Sequence, residues 1–494
     1  MKLTLALIAS TATLLVACTS AVTRPSDPAR PPSSATPAPA AMTSPVTAPS
    51  VAPMRLEVPV VYEKLANGLK VVLSPDRTAP VVTVAVYYNI GFRIEPRDRT
   101  GFAHLFEHLM FQGSQNLGKM QFIQLVQTNG GILNGSTRFD FTNYFEVVPA
   151  HTLETMLWAE ADRMRGLAIS QDNLTNQQGV VKNEVRVNVL NQPYGGFPWL
   201  DMPQYANSNW YNAHNFYGEL KDLDAATLED AQKFFKTYYA PNNAVLVLTG
   251  DLQPDQAMSW VRKYFGTIPA AAQPPKADIS EPRQLEARRF SKDDAKATRP
   301  ALAVAWHAPE PDTPEFYAFN LLTQILSEGK DSALHQSLVQ QKGVTGDVSA
   351  TVNGLGNMFN IDGPTLYMVW LFHDQDKSPD QLLAAIDEQI EKFRVTPLDE
   401  QTLELARTKM RSDLYDQIEG TFGFGKADLL ASFALFDDDP GKINRIEQRF
   451  AEITPQLILD TAREYLRPTN RTILTIVPKA ASPAGAAAGS RSSL

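Results

Sequence analysis

Apolar residues along the chain follow two periods, one typical of strands and one typical of amphipathic helices. The run VVTVAVYYNIG is rich in β-branched and aromatic residues, and soon after it FAHLFEHLMFQGS places apolar residues at helical spacing. Later segments such as QLLAAIDEQIEKF and LILDTAREYL each present one apolar face. This mixture of strands and helices predicts an α+β fold.

The strand-then-helix pattern occurs twice. Aligning 102–114 with 318–330 matches apolar and glycine positions of the two segments: Leu105 with Leu321, Leu109 with Ile325, and Gly113 with Gly329. Each half ends on a Pro-x-Asn turn that leads into a strand, in APNNAVLVLTGDL and in RPTNRTILTIVPK. We therefore predict two similar halves, 56–270 and 285–480, joined by the Pro-rich stretch at 267–284.

The first 18 residues have the layout of a secretory signal. Lys2 is followed by an apolar stretch and then by small residues before Cys18, the single cysteine of the chain. Because LVAC resembles the lipobox of bacterial lipoproteins, we expect 1–18 to be a lipoprotein signal peptide and Cys18 to be lipidated. Thr19 after the cysteine favours an exported protein anchored to the outer membrane and facing the periplasm. The alternative is an ordinary signal with an incidental cysteine.

The composition indicates that both ends of the chain lie outside the folded body, and it argues against one class of partner. Residues 19–55 are mostly Pro, Ala, Ser and Thr, which predicts an extended linker, and 481–494 predict a disordered tail. The formal charge of −9, without long basic runs, argues against nucleic acid as a partner. A hydrophobic content of 44% is enough to build large cores between these ends.

Two histidines and a glutamate lie within five residues of the first helical segment. Helix positions i, i+3 and i+4 share a face, so His104, Glu107 and His108 point the same way. Two neutral imidazoles suit a cation such as zinc, and a carboxylate beside them can accept a proton from water. Chance would produce such a trio in about one chain in 200. The alternative is a polar face that hydrogen-bonds to loops, and zinc would need a third ligand.

The order His-x-x-Glu-His resembles the inverzincin signature of the pitrilysin family, which includes insulin-degrading enzyme and mitochondrial processing peptidase. In that family a glutamate 76 positions after the second histidine is the third ligand, and this chain has Glu184 there. GGILNGSTRFDFTNYFEVVP is similar to the family's active-site edge strand. The resemblance implies two homologous domains, each a mostly antiparallel β-sheet packed with helices.

The resemblance also implies a zinc-dependent endopeptidase with one Zn²⁺ per chain. His104, His108 and Glu184 would bind the metal, and Glu107 would be the general base. Asn134 and Thr137 would align a peptide or an unfolded protein segment along the edge strand. The alternative for Asn134 and the glycine after it is a simple turn.

Three positions depart from the family pattern. Gln177 stands where several members have a second glutamate, and HNFYG at 214–218 stands where the family often has His-Pro-Tyr-Gly, so we do not assign His214 as a ligand. The strand-like run 363–376 lacks the arginine that active members use to bind substrate, and its one tyrosine is Tyr367. We therefore expect a homologous subunit that supplies an Arg/Tyr pair, or a homodimer.

Two functions of other classes remain open at this stage. One is a non-catalytic scaffold subunit of the same fold, and the other is a lipoprotein that binds peptides without cutting them. The usual mark of a non-catalytic member is the loss of a ligand or of the base. All four residues are present here, which favours the enzyme.

Overall fold

The strands of the chain form two sheets. The computed structural model describes residues 56–479, and its first sheet has the order β1-β2-β6-β3-β5-β4 while its second has the order β7-β11-β8-β10-β9. The strands are β1 Val61–Lys64, β2 Lys70–Pro75, β3 Val81–Tyr88, β4 Ile132–Thr137, β5 Thr142–Pro149, β6 Ala244–Gly250, β7 Arg288–Asp294, β8 Ala301–His307, β9 Ser349–Val352, β10 Leu366–Phe372 and β11 Arg471–Pro478.

Helices fill the connections between these strands. They are α1 Phe102–Leu109, α2 Gln121–Thr128, α3 Leu153–Arg165, α4 Gln171–Val185, α5 Asp201–Ala206, α6 Trp210–Ala213, α7 Leu220–Ala225, α8 Leu228–Tyr238, α9 Pro254–Phe265, α10 Pro314–Ser327, α11 Pro379–Val395, α12 Glu400–Asp437, α13 Ile446–Ala451 and α14 Pro455–Tyr465. Side-chain caps begin several of them, including a capping box of Thr227 and Asp230 at α8.

The two sheets repeat one topology. In the first, β2 pairs in parallel with β6 and the order continues through β3, β5 and β4 by antiparallel pairs. In the second, β7 pairs in parallel with β11 and the order continues through β8, β10 and β9 in the same way. The prediction of an α+β chain with mostly antiparallel sheets is confirmed. The boundaries at 56–270 and 285–480 stay a prediction.

Each sheet packs its own helices on one face and part of the other half on the opposite face. Side chains of β2, β3 and β6 alternate between a core with α1, α3, α8 and α9 and a second core that includes α12. The second sheet does the same: Val304 faces α10 and α12, whereas Ala303 faces Met202 and Ala206 of α5. Because the exchange is reciprocal, neither half can bury both faces of its sheet alone.

Polar contacts reinforce the packing of α12 against the first sheet. The Lys70 ammonium donates to the backbone oxygen of Ala434 at 2.7 Å, near the end of α12. The Tyr87 hydroxyl donates to Asp428 at 2.6 Å. Lys426 donates to Asp76 at 2.8 Å, directly after β2. The helix is therefore held along its C-terminal half by strands of the other half.

The Lys426–Asp76 pair predicts an acid-sensitive part of the stability. The hydrogen bond from Lys426, together with those from Thr78, lowers the pKa of Asp76 to about 2. A lowered carboxyl pKa stabilises the fold above the usual aspartate pKa of about 4, and the contribution disappears as pH falls towards 2. Because Asp76 is 35% exposed, we expect Lys426→Met to cost at most about 1 kcal/mol at pH 6 and almost nothing near pH 2.

Urea unfolding at several pH values measures this difference. Lys233→Met is the control, since Lys233 is exposed on α8 and its replacement should leave the stability unchanged at every pH. A loss in Lys426→Met that stays constant down to pH 2 would contradict the assigned ion pair.

Several predicted segments lie outside the described residues. These are the signal 1–18 with Cys18, the linker 19–55 and the tail 481–494. Between residues 56 and 479 we find no helix that has both the length and the apolarity of a membrane span.

Candidate functional site

The predicted metal residues lie where α1 packs against α4. Leu105, Phe106 and Leu109 of α1 are buried against the first sheet and its helices, which leaves the opposite face of the short helix for polar residues. His104 and His108 lie on that face. Ser170 caps the start of α4 through the backbone N–H of Asn173, and Glu184 lies one residue before the end of this helix.

The structure brings His104, His108 and Glu184 together. The two Nε2 atoms of the histidines are 3.4 Å apart. Oε2 of Glu184 lies 3.7 Å from Nε2 of His104 and 3.3 Å from Nε2 of His108. Among residues 56–479, these three form the one group of His, Cys, Asp or Glu side chains whose ligand atoms could share a metal ion.

These distances fit a zinc ion. Ligand atoms about 2.0–2.1 Å from a tetrahedral centre lie about 3.3–3.4 Å from one another, close to the separations seen here. Two imidazoles and one carboxylate also form a donor set that zinc uses in catalytic sites, where the fourth position stays open. The side chains are 5%, 22% and 17% exposed for His104, His108 and Glu184, so His108 and Glu184 are reachable from solvent while His104 is buried.

The protonation states of two of the three residues favour metal binding. Burial lowers the pKa of His104, which keeps the imidazole neutral. Burial alone would raise the pKa of Glu184, but the two histidines outweigh it and lower the pKa, which keeps the carboxylate charged. Burial would lower the pKa of His108, yet the neighbouring carboxylates of Glu184 and Glu107 raise it. His108 must therefore lose its proton to bind a metal.

Glu107 lies between the metal residues and the edge strand β4. The Thr137 hydroxyl donates to Oε2 of Glu107 at 2.8 Å and is itself buried. A Cβ atom at Gly135 would lie 3.4 Å from Cγ of Glu107 and 3.2 Å from the ring of Tyr144, so the strand passes in close contact with the Glu107 side chain at this glycine. The structure thus places Thr137 as an orienting partner of Glu107.

Strand β4 is the last strand of the first sheet. It pairs with β5 on one side, and no described strand pairs with its other side. Asn134 lies within the strand and is exposed, and its side chain accepts the backbone N–H of Gly135 at 2.9 Å. The turn lies later, where the N–H of Arg138 donates to the oxygen of Phe141. The alternative of a turn at Asn134 is therefore wrong.

The sequence pattern missed residues that surround the start of α1. Glu95 is fully buried, and its carboxylate accepts the backbone N–H groups of Gly101 at 2.8 Å and Ala103 at 2.5 Å. Burial raises the pKa of this carboxyl, and His214 with the two backbone groups acts in the opposite direction. The ring of Tyr217 lies 5.2 Å from the ring of His104. In the sequence, the glycine that ends HNFYG was the one local indication that this segment packs closely against another part of the chain.

The positions that depart from the family pattern have clear locations. Gln177 is buried on α4 beside His108, where it favours the protonated ring. Tyr367 is fully buried in the core between Trp306 and Phe319, with ring centroids 5.8 and 5.7 Å away. Tyr367 therefore cannot contact a substrate from this position.

The second half carries neutral residues where the first has its ionisable trio. Asn320, Thr323 and Gln324 are buried on α10. The Asn320 amide donates to the oxygen of Phe316 at 2.8 Å, and the Thr323 hydroxyl donates to the oxygen of Asn320 at 3.0 Å. Asn320 and Thr323 thus bond to backbone oxygens of their own helix, and Gln324 hydrogen-bonds to Asp413, so this face of α10 serves packing.

Comparison with known proteins identifies the family. The sequence model of the insulinase family (peptidase family M16) matches residues 70–199, which contain all four site residues on α1 and α4. The sequence model of the peptidase M16 inactive domain matches residues 225–410. The zinc protease PqqE of Helicobacter pylori is 25% identical over 419 residues, which cover 84% of this chain and 92% of that protein.

Two further relatives agree with this assignment. A probable mitochondrial-processing peptidase subunit beta of Arabidopsis thaliana is 21% identical over 368 residues, which cover 72% of this chain and 67% of that protein. The crystal structure of a protease from Helicobacter pylori superposes with a TM-score of 0.77 at 25% identity, covering 85% of this chain and 100% of that one. The chain therefore belongs to the M16 (pitrilysin) family of peptidases, in its short two-domain bacterial type.

Proposed function

We propose that the chain is a zinc-dependent endopeptidase that hydrolyses peptides or unfolded protein segments. One observation carries the proposal: the ligand atoms of His104, His108 and Glu184 all lie within 4.8 Å of one another. Glu107 lies on α1 between the two histidines. A bound zinc ion would supply Lewis acidity, polarising the scissile carbonyl and making a nearby water more acidic. The name of the relative PqqE, a zinc protease, supports the choice of metal.

Glu107 has the position and partners of a general base. Its carboxylate can accept a proton from the attacking water and pass it to the leaving amine. The hydrogen bond from Thr137 to Oε2 fixes the carboxylate direction, because the buried hydroxyl is held on a strand. Catalysis by this route needs no serine or cysteine nucleophile, and therefore no covalent intermediate.

The free edge of β4 supports an extended peptide as the substrate. An edge strand offers unpaired backbone N–H and C=O groups, and a peptide can add to it as a further strand whatever its side chains. Because β4 passes over Glu107 at Gly135, a peptide added to this edge would run beside the base. Asn134, exposed on the same strand, is placed to contact it.

Removal of the third ligand tests the proposal. We expect the protein purified from its native membrane, with any companion subunit, to contain about one zinc ion per chain and to cleave an unstructured peptide, and Glu184→Ala to lose both properties because two imidazoles alone hold zinc poorly. Metal analysis and peptide cleavage measure the two effects. Glu229→Ala, a change at an exposed glutamate in the first turn of α8, should leave both unchanged. A native preparation, companion subunit included, that binds zinc but cuts nothing would favour a scaffold or a peptide-binding lipoprotein.

We also propose that the chain works with a homologous subunit that supplies an Arg/Tyr pair. The run 363–376 has no arginine, and Tyr367 is buried, so this strand offers no such pair to a substrate. The name of the Arabidopsis thaliana relative, a subunit beta, supports a multisubunit arrangement. A homodimer is the alternative.

The N-terminal sequence supports an exported, lipid-anchored protein on the outer membrane, facing the periplasm. Purification from the native membrane tests this location together with the partner. We expect an acylated Cys18 peptide by mass spectrometry and a companion chain of similar length that bears the Arg/Tyr pair. An unmodified Cys18 would contradict the anchor, and full activity of the isolated chain would contradict the divided site.

A further inference from the structure

The side chain of His214 has a hydrogen-bond acceptor at each ring nitrogen. Nδ1 lies 3.0 Å from the backbone oxygen of Trp210, and Nε2 lies 2.7 Å from the backbone oxygen of Phe92. A neutral imidazole has one N–H, so one nitrogen would turn a lone pair towards a carbonyl oxygen. Only the protonated ring can donate to both oxygens.

A negative charge lies beside this ring. Oε2 of Glu95 is 3.8 Å from Nε2 of His214, and both oxygens of Glu95 accept backbone N–H groups at the start of α1. Hydrogen bonds accepted by both oxygens favour the ionised form of a carboxyl group. Glu95 is fully buried, and a buried charge is tolerated only when it is paired. The two groups therefore compensate each other.

The surroundings of His214 favour its positive charge. Its ring stacks on the indole of Trp210 with centroids 4.2 Å apart and planes 7° apart, and an aromatic face attracts a cation. Other ionisable groups near the pair include Arg97, 5.0 Å over the same indole, Tyr211 beside that indole, Arg93, which donates to Asn212, and the tyrosines Tyr238 and Tyr239 near Glu95. Glu95 is the one carboxylate among them.

The segment that carries His214 is fitted tightly against the start of α1. Gly101 has a φ of 83°, and a Cβ atom there would lie 2.5 Å from the oxygen of Tyr217. Gly218 has a φ of 67°, and its Cβ would lie 2.2 Å from the nitrogen of Gly101. Both positions require glycine, because any side chain would separate the two segments.

We propose that His214 is a positioning residue: as an imidazolium it holds the Glu95 carboxylate on the first turn of α1, and so fixes the helix that presents His104, Glu107 and His108. The inference rests on the proposed function of that site. Glu95 satisfies two of the N–H groups that a helix leaves unpaired at its start, and its charge is favourable there. His104 is the residue directly after Ala103, whose N–H Glu95 binds.

The charge of His214 can be observed directly in the metal-free protein. With isotope-labelled histidine, NMR should show both ring nitrogens of His214 protonated at pH 7, and the ring signal is assigned in the wild type by its through-bond correlation to the His214 backbone. In Glu95→Gln the ring should become neutral, because the compensating charge is gone. A neutral His214 ring at pH 7 in the wild type overturns the proposal even if the variants fail to fold.

Zinc affinity tests the consequence for the site. His214→Gln and Glu95→Gln should each weaken zinc binding by about 10–100-fold, the usual effect of losing a residue that orients a ligand. Since the residues act as a pair, the double variant should lose no more than the worse single one. His151→Gln, at an exposed histidine, is the control.

The outcomes separate this inference from the proposed function. Zinc affinity in His214→Gln equal to that of His151→Gln overturns the positioning role. Absence of zinc binding in the wild type would instead refute the proposed function, while the NMR measurement would still report on the ion pair.

Discussion

Glu107→Gln should abolish most of the peptide hydrolysis and leave the zinc in place. We expect a loss of roughly 10²–10⁴-fold in kcat, the usual contribution of a positioned general base. The amide has nearly the same shape and can still accept the hydrogen bond from Thr137, but it cannot take a proton from water. Steady-state cleavage of an unstructured peptide and metal analysis of the same sample measure the two quantities.

Glu229→Gln is the matched control, because this glutamate is exposed on α8 and distant in sequence from α1 and α4. It should cleave the peptide at the wild-type rate. If Glu107→Gln retained full activity with its zinc, the base would have to be another residue. A loss of zinc along with activity would show that Glu107 supports metal binding instead.

Arg163→Met should be among the most destabilising single changes in the protein. Arg163 and Glu160 on α3 and Glu146 on β5 are at most 1% exposed and form a buried charged cluster. The Arg163 guanidinium donates to Glu160 and lies 3.8 Å over the ring of Phe122. Without it, the acidic side chains of Glu160 and Glu146 remain buried with no compensating positive charge, and removing one partner of a buried ion pair costs about 3–5 kcal/mol.

Protonation of Glu146 should reduce this loss in acid. Burial and the neighbouring Glu160 already raise the pKa of Glu146 in the intact protein. A raised carboxyl pKa means that the folded state binds protons more readily than the unfolded chain, so stability falls as pH rises through the folded-state pKa. The Arg163→Met variant should therefore lose more stability at pH 8 than at pH 5.

Urea unfolding at these two pH values measures the effect. Arg262→Met is the control, since the Arg262–Glu63 pair is 56% and 37% exposed and should contribute less than about 1 kcal/mol. Equal losses in the two variants would show that the buried cluster is not electrostatically important to the fold.

The local sequence predicted the elements that carry the chemistry. Helical spacing puts His104, Glu107 and His108 on one face, and that follows from 3.6 residues per turn whatever the rest of the chain does. The repeat in apolar pattern predicted two similar halves, and five strands of the first sheet do have the same order as the five strands of the second. These features depend on periodicity within short segments, and periodicity can be read from a sequence.

Other features could not be predicted in this way. Glu184 came from resemblance to a family, because no local rule tells which distant helix will pack against α1. The reciprocal cover of each sheet by an element of the other half, α12 on the first and α5 on the second, has no signature within either segment. Thr137 was expected to contact substrate, and the fold turns its hydroxyl to Glu107.

The sequence by itself determined the secondary structure of the first helical segment, the two histidines and the glutamate on its polar face, and the doubling of the fold, since these depend on residue type and spacing. Only the tertiary structure decided which groups share the site. It brought Glu184 to the two imidazoles, placed the edge strand over Glu107, and set Glu95 and His214 at the start of α1. The physical reason is that these contacts join residues tens of positions apart, and the packing of the whole core fixes their distances.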